Sequence, residues 1–215
     1  MTACAFAFFD LGRVLLAFDH ELACLQIAEV ASLDPSTVRR VVFESGLELK
    51  YERGELTTAE FYEHFCRETS TTPDRQRLVA AAGNIFSPNE PVLQIAREVS
   101  AKLPLGVLSN TCEAHWDDAC MRFPLLGEVF THHVLSYEVR SLKPEPEIYA
   151  AAEAVANVPP EAIFFVDDMP ENVAGARRRG WDAVQFSSPA QLRLDLEARA
   201  LLDRDTATTF REPPR

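Results

Sequence analysis

Short apolar runs alternate along the chain with longer stretches of helical period. The strand candidates are Ala5 to Phe9, Leu105 to Leu108, His133 to Ser136, Ile163 to Val166 and Ala183 to Phe186, with helical patterns after most of them. That order predicts an α/β fold built on a parallel sheet. The first run, Ala5-Phe6-Ala7-Phe8-Phe9, has no polar face and predicts a strand covered on both sides. About 95 residues separate it from the second run, where a crossover needs only roughly a dozen. An insertion is therefore expected. It is helical in period: Asp19 to Ala31, Pro35 to Glu44 behind an Asp34 cap, Thr58 to Glu68 behind Thr57, and Pro73 to Phe86, before a last helix from Pro91 to Lys102. Residues 1–16 and 88–205 are thus expected to form the core and residues 17–87 a small helical-bundle cap over the strand ends. Ser87-Pro88 and Asn89-Glu90-Pro91 read as the return hinge. Residues 206–215, with Pro213-Pro214, read as a mobile tail.

Chemistry gathers where the strand candidates end. Asp10 closes the first run, at the kind of strand end where open parallel sheets bind ligands, which makes it a candidate nucleophile or metal ligand. A helix cap or turn former is the plainer role of such an acid. Asp167-Asp168 close Phe164-Phe165-Val166, and two adjacent carboxylates repel unless a cation neutralises them. Magnesium suits them, since it takes hard oxygen ligands and is usually held by one or two carboxylates plus substrate phosphate. Capping the helix from Pro170 to Arg179 explains one of these acids but not both. Ser109-Asn110-Thr111 follow another run and offer hydroxyl and N–H donors to an anion, or simply a capping turn. Pro144 restricts Lys143 to an extended conformation ahead of a helix from Pro146 to Ala156, so the ammonium can be aimed at a phosphate.

Charge and composition narrow the partners. Acidic residues outnumber basic ones 33 to 21, and a net charge of -12 opposes nucleic acid and anionic membrane. The 215 residues, 47% hydrophobic, can bury one full core and a smaller second unit. Five cysteines without a CxxC pair indicate neither a disulfide framework nor a zinc knuckle. The opening MTACAFAFF lacks a basic region, and no apolar stretch nears the ~20 residues of a membrane span. A cytoplasmic monomer or homodimer is the expectation.

The set resembles the haloacid dehalogenase superfamily, in its phosphatase-like members with a small helical cap. The order matches: Phe9-Asp10-Leu11-Gly12, then Ser109-Asn110, then Lys143-Pro144, then Asp167-Asp168. Phe9 to Asp19, Tyr51-Glu52-Arg53-Gly54-Glu55 and Leu135 to Tyr149 look most like the bacterial α-D-glucose-1-phosphate phosphatase branch, and less closely like the phosphatase domain of soluble epoxide hydrolase. The resemblance implies a three-layer Rossmann-like core with an inserted cap. It further implies that Asp10 attacks the phosphorus of a small phosphorylated substrate to form an aspartyl-phosphate that water hydrolyses. Magnesium would be held by Asp10, the Gly12 carbonyl and Asp168, with Asp167 supporting or sharing that role. Ser109 and the Asn110 N–H would hold a phosphate oxygen, Lys143 would balance charge, and Asn172 would orient the loop.

Gly12 departs from the commonest pattern, which places a second Asp two residues after the nucleophile to protonate the leaving alcohol and activate water. Such assistance contributes ~10²–10⁴-fold. Asp19, His20 or Glu52 from the cap, or a magnesium-polarised water, are candidate substitutes. Two rivals remain open: a metal-independent 2-haloacid dehalogenase, and a weakened phosphate-binding module. Other conspicuous residues take plainer readings: His132-His133 as surface or turn, Arg177-Arg178-Arg179-Gly180 as a helix end, Trp116 and Phe123 as packing, and Cys112 as a buried thiol.

Overall fold

A computed structural model describes residues 3–203, so the expected tail at 206–215 lies outside the described residues. Among the described residues there are seven strands: β1 (Phe6–Phe9), β2 (Leu16–Phe18), β3 (Phe86–Pro88), β4 (Leu105–Ser109), β5 (His132–Leu135), β6 (Ile163–Asp167) and β7 (Asp182–Gln185). Five form an all-parallel sheet in the order β5-β4-β1-β6-β7, and β2 and β3 pair antiparallel beside it. This is the expected α/β architecture. β1 sits at the centre, and its alternating side chains explain its unbroken apolarity. Phe6 and Phe8 enter a cluster with Tyr149, Phe165 and Trp181, while Ala7 and Phe9 enter another with Val92, Ala96 and Phe164. Both faces are covered.

Helices α1 (His20–Ala31), α2 (Pro35–Val38), α3 (Leu47–Glu52), α4 (Thr58–Thr69) and α5 (Arg75–Gly83) lie between β2 and β3. They bury Ile27, Val38, Leu47, Tyr51, Phe61, Phe65 and Leu78 in a cluster of their own, joined by Cys112 and Ala114 from the start of α7 (Glu113–Arg122); between them runs α6 (Glu90–Ser100). Side-chain caps start four of these helices: Asp19, Asp34 and Asp74 accept backbone N–H groups, and Thr57 with Glu60 forms a capping box, whereas α3 starts after Gly46.

Three segments differ from the sequence reading. The helix expected over Pro35 to Glu44 is α-helical only to Val38 and widens to a π-helix over Arg39–Glu44. The helix expected from Pro73 to Phe86 ends at Gly83, because Phe86 pairs with Phe18 across β2 and β3. The hinge at Ser87-Pro88 is therefore a strand. Asn89 fastens the two connections together, its backbone N–H donating to the Leu15 carbonyl at 3.0 Å and its side-chain amide to the Val14 carbonyl at 3.0 Å. α3 is an addition. Leu47-Glu48-Leu49-Lys50-Tyr51-Glu52 alternates apolar and polar residues, which conceals a helix of six residues.

α3 and the loop after it dock this helical segment onto the sheet end. Gly54 adopts a φ of 68°, and a Cβ there would stand 2.1 Å from the Tyr137 carbonyl oxygen, so only glycine fits. The Arg53 guanidinium donates to Glu145 at 2.9 Å, and the Ser136 hydroxyl lies 2.6 Å from the Glu52 carbonyl. Among the described residues no helix is long and apolar enough to cross a membrane.

Candidate active site

The sheet's carboxyl edge brings together all four sequence motifs. Asp10 follows β1, its N–H donating to the Val166 carbonyl at 3.0 Å. Its Oδ1 accepts from the Leu11 N–H at 2.8 Å and from Lys143 Nζ at 2.7 Å. Lys143 spends its other two donors on Asp167 Oδ2 at 2.7 Å and the Leu108 carbonyl at 2.8 Å. With all three N–H groups used by protein, this ammonium balances charge and aims Asp10; it has no donor left for a phosphate oxygen. Asn110 holds it in place. The Asn110 side chain accepts from the Lys143 N–H at 2.7 Å and donates to the Lys143 carbonyl at 3.0 Å.

Asp167 is fully buried, and its Oδ1 accepts from the Met169 N–H at 2.8 Å and the Asn172 amide at 3.0 Å. Asp168 points outward to Arg13 at 3.6 Å, a guanidinium 63% exposed that also sits over the Phe18 ring. Burial pushes the Asp10 carboxyl above its ordinary value, with Lys143 pulling it down and Asp167 pushing it up. Asp168 is also raised, first by burial and then by Asp167. Burial alone would lower Lys143, but Asp10 and Asp167 outweigh it and hold the ammonium charged.

Two clefts meet here. One, of about 460 Å³, is lined by Asp10, Arg13, Lys143 and Asp168. The other, of about 520 Å³, is lined by Ser109, Thr111, His20, Glu48, Glu52 and His115. Gly12, Phe18 and Asn110 border both. At Gly12 a Cβ would stand 2.9 Å from Phe18 Cε1, so the aromatic ring occupies the space a side chain would need. Buried Ser109 directs its hydroxyl at the Asn110 carbonyl, 3.3 Å away.

A model of the haloacid dehalogenase-like hydrolases matches residues 15–180. The chain belongs to that family. A D-ribitol-5-phosphate phosphatase of Bacteroides thetaiotaomicron is 24% identical over 196 residues, 87% of this chain and 94% of that protein. Among solved structures, a haloacid dehalogenase family enzyme from the same organism, in complex with magnesium and inorganic phosphate, superposes with a TM-score of 0.77 at 24% identity, covering 97% of this chain and 100% of that one. The L-2-haloacid dehalogenase of Xanthobacter autotrophicus superposes at 0.63 with 21% identity, covering 98% and 92%.

As a haloacid dehalogenase-like hydrolase, the chain has a donor set that fits a hard cation. Oxygens of Asp10, Asp167 and Asp168 lie within 4.8 Å of one another. Lys143 is the one buried cation among them, leaving excess negative charge. Asp167 is occupied by Lys143, Met169 and Asn172, whereas no hydrogen bond among the described residues uses Asp10 Oδ2. Asp10 and Asp168 are thus the better placed ligands, with Asp167 behind them.

The cap-side candidates separate clearly. Asp19 caps α1, accepting from the Glu21 and Leu22 N–H groups. His20 is stacked between Phe18 and Phe43, and burial lowers its imidazole. Glu52 lines the larger cleft, pushed up to about 7 by burial against the pull of Lys143. Sequence reading missed Arg13, Glu48 and His115. Glu48 stands four residues before Glu52, a helical spacing hidden by the alternation of α3, and is pushed up to about 8 by burial and by Glu52. His115, one turn into α7, is lowered to about 4 by burial and by His20. The plainer readings fit: Cys112 is buried with its thiol raised by burial, and Trp116 and Phe123 pack against the core.

Proposed function

We propose that the chain is a magnesium-dependent phosphohydrolase of small phosphorylated metabolites, acting through an aspartyl-phosphate on Asp10. One observation carries this reading: Lys143 pins one Asp10 oxygen, no hydrogen bond among the described residues uses the other, and Asp10 lines a cleft with Asp168. A pinned carboxylate with a free lone pair is a preoriented nucleophile. Magnesium held by Asp10, the Gly12 carbonyl and Asp168 would neutralise the phosphoryl charge. Asp10 attacks phosphorus, and Ser109 with the Asn110 N–H holds a phosphate oxygen. Arg13, exposed at the mouth of the same cleft, offers a second positive charge. Asn172 keeps Asp167 turned toward Lys143, which keeps Asp10 ionised and aimed.

The segment 17–87 acts as the cap and residues 1–16 and 88–205 as the core, so the larger cleft between them receives the leaving group. Its carboxyl, imidazole and aromatic lining suits a hydroxyl-rich alcohol, in keeping with the sugar-alcohol phosphate named for the Bacteroides relative. The dehalogenase rival leaves Asp168 without a buried cation. A panel of phosphomonoesters, including ribitol 5-phosphate, tests the reading with and without magnesium. Wild type should release phosphate only with magnesium, and Asp10→Asn should lose at least about 10³-fold in kcat. No release from any ester would support the binding module, and metal-independent halide release from 2-chloropropionate would support the dehalogenase.

A further inference from the structure

The phosphohydrolase reading leaves one step without a donor: the alcohol oxygen departs as an alkoxide unless something protonates it. Residue 12 cannot supply the proton, and Phe18 fills the space its side chain would enter. Any substitute must face the leaving-group cleft with an unspent polar atom. Asp19 is committed to the α1 cap, and His20 is stacked between Phe18 and Phe43 in surroundings whose burial disfavours its imidazolium form. Lys143 has spent all three donors. Glu48 and Glu52 remain, one turn apart on α3, with carboxylate oxygens and a His115 ring nitrogen within 4.8 Å of one another. No hydrogen bond among the described residues engages the Glu52 carboxyl, while its own carbonyl is tied to Ser136. The backbone is thus anchored at the cleft wall and the side chain left free.

We propose that Glu52, presented by α3 beside Glu48 and His115, is the general acid and base that replaces the missing Asp at position 12. In the first half-reaction Asp10 attacks phosphorus, the P–O bond to the alcohol breaks, and its electron pair takes the proton of the Glu52 carboxyl. In the second, water attacks the aspartyl-phosphate and gives its proton to the Glu52 carboxylate. The Asp10–phosphorus bond breaks, and phosphate leaves with both groups restored. The groups facing Glu52 are Glu48 on its own helix, His20 on α1, Cys112 and His115 at α7, and Lys143 after β5. Burial keeps its carboxyl protonated up to about 7, which gives the proton a place to wait.

Leaving-group dependence tests this, because an acidic phenol departs without a proton and a sugar alcohol does not. Glu52→Gln should lose about 10²–10⁴-fold in kcat on ribitol 5-phosphate. On p-nitrophenyl phosphate it should still release a rapid burst near one nitrophenol per enzyme, then turn over slowly as aspartyl-phosphate accumulates. Loss of the nitrophenol burst in a variant with native circular dichroism, or no loss of turnover on either substrate, overturns the proposal. If that variant does not fold, Glu52→Ala with added formate takes its place, and alkyl turnover unrestored by formate overturns it. Magnesium-dependent turnover in wild type, abolished in Asp10→Asn and unchanged in Glu52→Gln, would sink the Glu52 role alone. No turnover in wild type would sink the phosphohydrolase reading with it.

Discussion

At Asp10 and Lys143 the energetics are set by burial. Both side chains lie almost wholly out of water, so each requires the other, and removing one partner of such a pair typically costs ~3–5 kcal/mol. Gly12 is constrained by a neighbour. Phe18 is held by stacking on His20 and an edge contact with Phe86, so it has little room to yield. Restoring the usual acid should therefore fail at first: Gly12→Asp should lose roughly 1–3 kcal/mol of stability through overpacking and gain no turnover. Adding Phe18→Ala should recover part of that stability and raise alkyl-phosphate turnover. Urea unfolding and steady-state kinetics of the single and double variants check both. Asp10, Ser109 and the Asp167-Asp168 pair were legible as residues because each follows an apolar run, and Lys143 because Pro144 fixes it ahead of a helix. Arg13 was equally visible but carried no pattern to mark it.

Among the elements, α3 matters most and was least legible. Strands β1, β4 and β6 declare themselves by continuous apolarity, and α1 and α4 by period and cap. The six residues of α3 alternate instead. Only packing shows that Leu47 and Tyr51 share the buried face while Leu49 is 53% exposed. The helix is positioned by its C-terminal loop, where Gly54 passes within contact of the Tyr137 carbonyl. Gly54→Ala combines a positive φ with a backbone collision and should cost about 2 kcal/mol or more. It should also lower kcat on ribitol 5-phosphate more than the nitrophenol burst, because it displaces Glu52 and leaves Asp10 in place. β2 and β3 were missed for a related reason: three-residue strands have no period of their own, and pairing across about 70 residues of insertion creates them.

For the whole molecule, the carboxyl pair at the junction of cap helices and sheet makes stability depend on pH. Glu48 is raised from 4.5 to about 8 and Glu52 from 4.5 to about 7, so across that window the unfolded chain binds fewer protons and stability falls as pH rises. His115, lowered from 6.5 to about 4, acts oppositely and erodes stability as pH falls below 6.5. Glu48→Gln should thus stabilise more at pH 8 than at pH 5.5. Full conversion at ~1.4 kcal/mol per unit overstates a group that water reaches, so a difference of about 1 kcal/mol in urea unfolding is expected. A variant no more stable at pH 8 would contradict this account of the cleft. By itself the sequence determined the parallel sheet, the helical insertion, the acids at the strand ends and the lysine held before Pro144, because apolar runs, caps and proline restraints are local properties of the chain. Tertiary structure alone decided that Lys143 is spent on protein oxygens, that Phe18 closes the space beside Gly12, and that Glu48, Glu52 and His115 converge. The Lys143 and His115 contacts join segments tens of residues apart, Phe18 returns on Gly12 through the turn into β2, and burial at these meeting points changes what each group can do.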